Sequence, residues 1–122
     1  MMRLPWRDLA VAAALALACS ARAMAHAMIK QSSPAQDAVL AGAPKEVTLT
    51  FNEKVEAMFT SAKVVNAAGS AVSKSKAVVD PADGATVRLP LPALAAGKYT
   101  VKWQAVGSDG HRRNGEIRFS VK

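Results

Sequence analysis

The chain has 122 residues, of which 51% are hydrophobic and 5% aromatic, and carries a formal net charge of +7. That length allows one domain at most, and the single cysteine, Cys19, excludes an internal disulfide. The basic balance suits anionic membrane surfaces or acidic partners; nucleic acid is a poor fit because the lysines are scattered and the N-terminus reads as an export signal.

From Met1 to Ala25 a basic start with Arg3 and Arg7 precedes an apolar run, Leu9 to Cys19, and small residues ending in Ala23-Met24-Ala25. This is the layout of a secretory signal peptide. The apolar run is about 11 residues, short of the ~20 needed to span a bilayer, so an uncleaved anchor is the weaker alternative. A second alternative is a lipoprotein-type signal at Ala16-Leu17-Ala18-Cys19, where Ala16 stands at a position that such signals fill with Leu; lipidation there would leave His26 internal. Cutting after Ala25 removes Arg3, Arg7, Arg22 and Asp8, leaving residues 26–122 as a 97-residue domain of charge +5 that begins with His26. It holds no thiol, so any metal must be taken by His, carboxylate, amine or Met.

Along this domain, Ala27 to Ser32 reads as a short extended stretch, followed by turns at Ser33-Pro34-Ala35-Gln36-Asp37 and Gly42-Ala43-Pro44. In Glu46 to Phe51 the apolar Val47, Leu49 and Phe51 alternate with polar residues, the period of a half-buried strand. Ser61 to Asn66 predicts another strand, closed by Asn66-Ala67-Ala68-Gly69. Ala71 to Val79 is a weaker strand with an irregular first half. Asp80-Pro81-Ala82-Asp83-Gly84 is a turn by composition, Thr86 to Leu89 a short strand, and Pro90-Leu91-Pro92 excludes a helix. Gly97 to Val106 is the clearest strand, with Tyr99, Val101, Trp103 and Ala105 on one face. Arg113 to Val121 closes the chain with Ile117, Phe119 and Val121 alternating. No segment has a helical period. About seven short strands in ~100 residues predict an all-β, antiparallel, immunoglobulin-like sandwich with Greek-key connections, with Trp103 as the buried plug of its core.

The chemistry concentrates in two histidines. As a free terminus, His26 offers its α-amine and ring Nδ1 to one ion, a chelate that an internal His cannot make. His111 sits in Gly107-Ser108-Asp109-Gly110-His111, and in extended backbone Asp109 and His111 project to the same side, with Gly110 letting the chain pass close to an ion. Amine, two imidazoles and a carboxylate favour Cu(II), with tetrahedral Zn(II) as the fallback. Against this, Asp-Gly between strands is the signal of an ordinary hairpin turn, and a His beside it is usually solvated. Arg112 and Arg113, directly after His111, tune the site or meet an acidic partner on one reading and are solvated strand-end charge on the other.

In order, His-Ala-Met-Ile-Lys-Gln-Ser-Ser-Pro-Ala, Val-Thr-Leu-Thr-Phe-Asn-Glu-Lys-Val, Gly-Lys-Tyr-Thr-Val-Lys-Trp-Gln-Ala-Val-Gly-Ser-Asp-Gly-His and Gly-Glu-Ile-Arg-Phe-Ser-Val resemble the CopC family of periplasmic copper-resistance proteins over nearly the whole of residues 26–122. The resemblance implies a small β-sandwich with one Cu(II) per mature chain, held by His26, His111 and Asp109. It also implies an acidic residue near the site at Glu53, as a weak ligand or as a group that orients one; a solvated strand-end Glu is the alternative. Better-known members carry a Met-rich stretch with a His, suited to Cu(I). Here Val64 to Val79 contains neither residue, and Met28 and Met58 are the only methionines after Ala25, which implies the Cu(II)-only type.

The expected function is therefore a monomeric, non-enzymatic periplasmic copper carrier or buffer, serving an inner-membrane partner of CopD type. The alternatives are a small oxygen-activating copper enzyme with a terminal-His brace and a metal-free interaction domain. Small size and few aromatics (Phe51, Phe59, Tyr99, Trp103, Phe119) weigh against the enzyme.

Overall fold

Alternation places the apolar side chains of the predicted strands on one side each, and two such sides must close on one another. In the computed structural model, which describes residues 27–122, they do so as two four-stranded sheets. The expected signal peptide, residues 1–25, and the candidate ligand His26 lie outside the described residues. The strands are β1 (Ile29–Ser33), β2 (Ala38–Leu40), β3 (Glu46–Phe51), β4 (Ser61–Asn66), β5 (Val78–Val79), β6 (Thr86–Pro90), β7 (Gly97–Val106) and β8 (Arg112–Val121). They are ordered β1-β3-β6-β5 in one sheet and β2-β8-β7-β4 in the other. Only β5–β6 and β7–β8 are hairpin neighbours; every other connection crosses between the sheets. Val47, Leu49, Phe51, Val87 and Leu89 of the first sheet meet Val64, Tyr99, Val101, Ala105, Ile117 and Phe119 of the second in one buried core.

The immunoglobulin-like sandwich stands, with four corrections. The described residues form eight strands rather than about seven: three-residue β2 lies parallel to β8, pairing Ala38 with Phe119 and Leu40 with Val121, so the sheets are antiparallel except at this edge. Residues 71–79 form a strand only at Val78–Val79, and Ala71 merely bridges to Val65. A 3₁₀ turn, Ala57–Phe59, stands where no helical turn was expected. Trp103 is half-buried rather than the plug. Its indole meets Phe51 edge-on, with centroids 5.3 Å apart at 70°. It also lies over the bare backbone of Gly115, its cross-strand partner, where a β-carbon would stand 2.7 Å from the ring. The indole thus spreads across the sheet and leaves one edge at the rim.

The turn before β6 is held by Asp83. Its Oδ1 accepts the Ala85 and Thr86 N–H groups at 2.9 and 3.0 Å, and its Oδ2 accepts the Thr86 hydroxyl at 2.7 Å. These bonds, the Thr86 hydroxyl first, hold the Asp83 carboxyl below the usual carboxylate range. A depressed native pKa stabilises the fold above the unfolded Asp value of about 3.9 and loses that contribution as pH falls through the native value. Asp83→Ala is therefore expected to lower Tm at neutral pH, and the gap to the parent should narrow in strong acid; thermal melts at the two pH values check this.

Candidate metal centre

β3 and β7 end at the same pole of the sandwich. After β3 the chain crosses to the second sheet: Val55 bridges to Gly107, and the Glu56 N–H donates to the Val106 carbonyl at 2.8 Å. The start of the described chain is pinned to the same pole. Asn52 Oδ1 accepts the Met28 N–H, and the Asn52 N–H donates to the Met28 carbonyl, both at 2.9 Å. This two-way pairing seats Ala27 in a buried position, 1% exposed.

Between these elements lies the carboxylate of Glu53. Its Oε1 is buried with no hydrogen-bond partner among the described residues, and it packs where a β-carbon on Gly107 would fall, with Ala27 close to the same glycine. Desolvating a carboxylate oxygen without a donor is costly, and a cation nearby would remove that cost. Glu53 as a whole is half-buried, with Oε1 the oxygen withdrawn from solvent.

The β7–β8 loop, residues 107–111, supplies the other groups. β8 begins at Arg112, so Asp109 and His111 do not share an extended strand edge as the sequence suggested. They are brought together instead by a turn. Gly110 donates its N–H to the Gly107 carbonyl at 3.0 Å, and Asp109 Oδ1 accepts the His111 N–H at 3.0 Å. Asp109 Oδ2 lies 3.0 Å from His111 Nδ1. Gly110 has φ +82° with open space around its missing side chain, so it serves the left-handed turn and not a close approach. Gly107 is the close-approach glycine, seated against Glu53.

Chemically, a carboxylate on Nδ1–H fixes the neutral ring in the tautomer whose Nε2 carries a lone pair, the arrangement that supports metal-ligating histidines. The His111 side chain is 66% exposed, which leaves that nitrogen within reach of an incoming ion. Imidazole nitrogen and two carboxylates, without thiolate, suit Cu(II) or Zn(II). Among the described residues no three His, Cys, Asp or Glu side chains converge closely enough to hold an ion; the fourth member of the expected set, His26, falls outside them. The sequence reading missed Asn52, Ala27 and Gly107, and for Asn52 its place directly before Glu53 at the end of β3 was the available signal.

A family model described as the CopC domain matches residues 29–122. The chain belongs to the CopC family. It is 36% identical over 99 residues to Protein YobA of Escherichia coli K12, covering 80% of each chain. To copper resistance protein C of Pseudomonas syringae pv. tomato it is 37% identical over 109 residues, covering 84% of this chain and 86% of that one. It also matches copper transport protein CutJ of Bacillus subtilis at 39% identity over 99 residues, 80% of this chain but 18% of that much longer protein. Among solved structures, CopC from Methylosinus trichosporium OB3b superposes with a TM-score of 0.75 at 31% identity, covering 80% and 94% of the two chains. PcoC of Escherichia coli, titled a methionine-rich copper resistance protein, gives 0.69 at 32% identity over 80% and 100%. Unlike a methionine-rich CopC relative, this chain offers only Met28 and Met58 after Ala25. No helix among the described residues is long and apolar enough to cross a membrane.

Proposed function

We propose that this CopC-family chain is a periplasmic Cu(II) carrier or buffer, exported by residues 1–25, that holds one ion as a monomer and delivers it to an inner-membrane partner of CopD type. Removal of the export segment after Ala25 makes His26 the terminus, which offers α-amine and Nδ1 as a chelate. His111 adds Nε2. Asp109 orients His111 through Nδ1 in the turn observed, and as the oxygen ligand expected from the sequence it would leave Nδ1 to reach the ion; Glu53 contributes negative charge beside it.

One observation carries this reading: the buried Oε1 of Glu53, without a hydrogen-bond partner among the described residues, lies against Gly107 of the His111 loop, with Ala27 close to the same glycine. A terminus at His26 would begin one residue from that packed point. The relatives named for copper resistance and copper transport support copper as the cargo, and support binding over catalysis. That a segment like this chain forms part of the much longer CutJ fits a carrier that works beside a larger transport protein.

Electron paramagnetic resonance of the processed protein with one equivalent of Cu(II) should show a single nitrogen-rich signal. Affinity should fall as pH drops from about 8 to about 6, because the α-amine, with an ordinary pKa of about 7.7 to 8.0, must lose its proton to coordinate. A competition titration across that range checks this; a flat profile would remove the amine from the site.

A further inference from the structure

The two outer faces of the sandwich differ in charge. On the first sheet the single strand arginine, Arg88, is matched by Glu46 and Asp80, each at 3.4 Å. On the second, the outward register of β4, β7 and β8 aligns Lys63, Lys98, Lys102, Arg112 and Arg118 against one acid, Glu116. All six are exposed. Arg118 reaches Asp37 at 3.8 Å; among the described residues the other four bases have no ion pair. Lys63 and Lys102 are direct cross-strand partners. Like charges directly opposite one another destabilise a sheet; on its other side Lys102 faces Glu116, the one acid of this register.

At one end this basic face runs into exposed apolar side chains. The outward Gln104 donates to the Phe59 carbonyl at 3.4 Å, which ties the Ala57–Phe59 turn to the face. Met58 is 87% exposed and Phe59 50%. Phe59 lines a hollow of about 550 Å³ with Glu56, Val106 and Arg112, and Gly107, Ser108 and Gly110 of the His111 loop complete its lining. A predominantly basic surface with protruding apolar side chains at its margin is complementary to a bilayer of acidic phospholipid. Headgroups meet the charge, and the apolar tips enter the interface.

We infer that the outer face of the β2-β8-β7-β4 sheet, with the Met58–Phe59 turn, docks on anionic phospholipid membrane and holds the His111 loop at the membrane edge. The inference stands on this surface alone and requires no bound copper. It is tested with the metal-free chain beginning at His26, by co-sedimentation with mixed phosphatidylglycerol–phosphatidylcholine vesicles and with pure phosphatidylcholine vesicles. Binding is expected only to the anionic vesicles at low salt, with release at about 0.5 M salt. Lys63→Glu with Lys102→Glu should weaken it by at least about tenfold, and Met58→Ser with Phe59→Ser severalfold. Lys74→Glu with Lys76→Glu, the same charge change off the sheet, should retain most of it. Lys98→Glu is the second variant on the face, should the double substitution compromise folding. Equal losses for the on-face and off-face pairs would reduce the effect to net charge and overturn the docking face. So would an absence of binding to anionic vesicles, which would leave the face to an acidic protein.

Discussion

Placing one extra residue before His26 in the processed chain is expected to weaken Cu(II) binding by at least about a hundredfold. Loss of outer groups that merely orient a ligand already costs about 10–100-fold in metal affinity. An extension does more, since it turns the α-amine into a peptide nitrogen and opens the chelate ring in one step. The fold should not notice. Ala27 remains buried and Met28 remains paired with Asn52, so thermal melts of the two forms should coincide. His111→Ala is the companion variant, removing Nε2 while leaving the terminus intact, and it should weaken binding through a different ligand. A competition titration of all three proteins decides the matter: undiminished affinity in the extended form would remove the terminal chelate from the site.

Gly115→Ala is expected to destabilise the domain by about 1–3 kcal/mol, the cost of forcing one more carbon into a packed site. The new carbon would stand 2.7 Å from Cζ2 and 2.9 Å from Cε2 of Trp103. These atoms belong to a rigid ring already held edge-on by Phe51, so no flexible end can swing away. At about 4–8 °C of Tm for each kcal/mol in a domain of this size, the loss is readily measured. Trp103 fluorescence should change with it, because the indole must leave Gly115. Gly42→Ala provides the opposite sign. It has open space around the added carbon and no left-handed backbone, so the substitution chiefly restricts the unfolded chain and should stabilise by about 0.4–1 kcal/mol. If both variants melted alike, steric crowding at Trp103 would not be what requires Gly115.

The strands best read in advance were those whose alternation was long and clean. β3 and β7 have the bounds that their apolar period predicted, because a two-residue period can bury one face only as a strand; β4 also has the bounds read for it, though its adjacent Val64 and Val65 are both buried. β2 was invisible for the converse reason. Three residues carry no period, and its pairing is parallel to β8, far along the chain; such an edge strand is chosen by its neighbour. The 71–79 run similarly had strand-like composition, but only Val78–Val79 found a partner in β6.

The candidate ligands follow the same division. Two histidines, an Asp-Gly pair, an expected cut before His26 and a chain with no thiol after Ala25 left a nitrogen and oxygen metal site open beside an ordinary hairpin turn, and the resemblance to the CopC family tipped that reading toward copper. The all-β class was legible separately, in the alternation of Val, Leu, Ile and Phe with polar residues. What waited on the tertiary structure was position and environment. Asp109 meets His111 through a left-handed Gly110 turn and not along a strand. One carboxylate oxygen of Glu53 is buried, and without a hydrogen-bond partner among the described residues, where Gly107 from a distant segment lies against it. The basic face exists only because β4, β7 and β8 align in register. Burial and juxtaposition are properties of pairs of residues far apart in the chain, and no local pattern carries them until the sheets close.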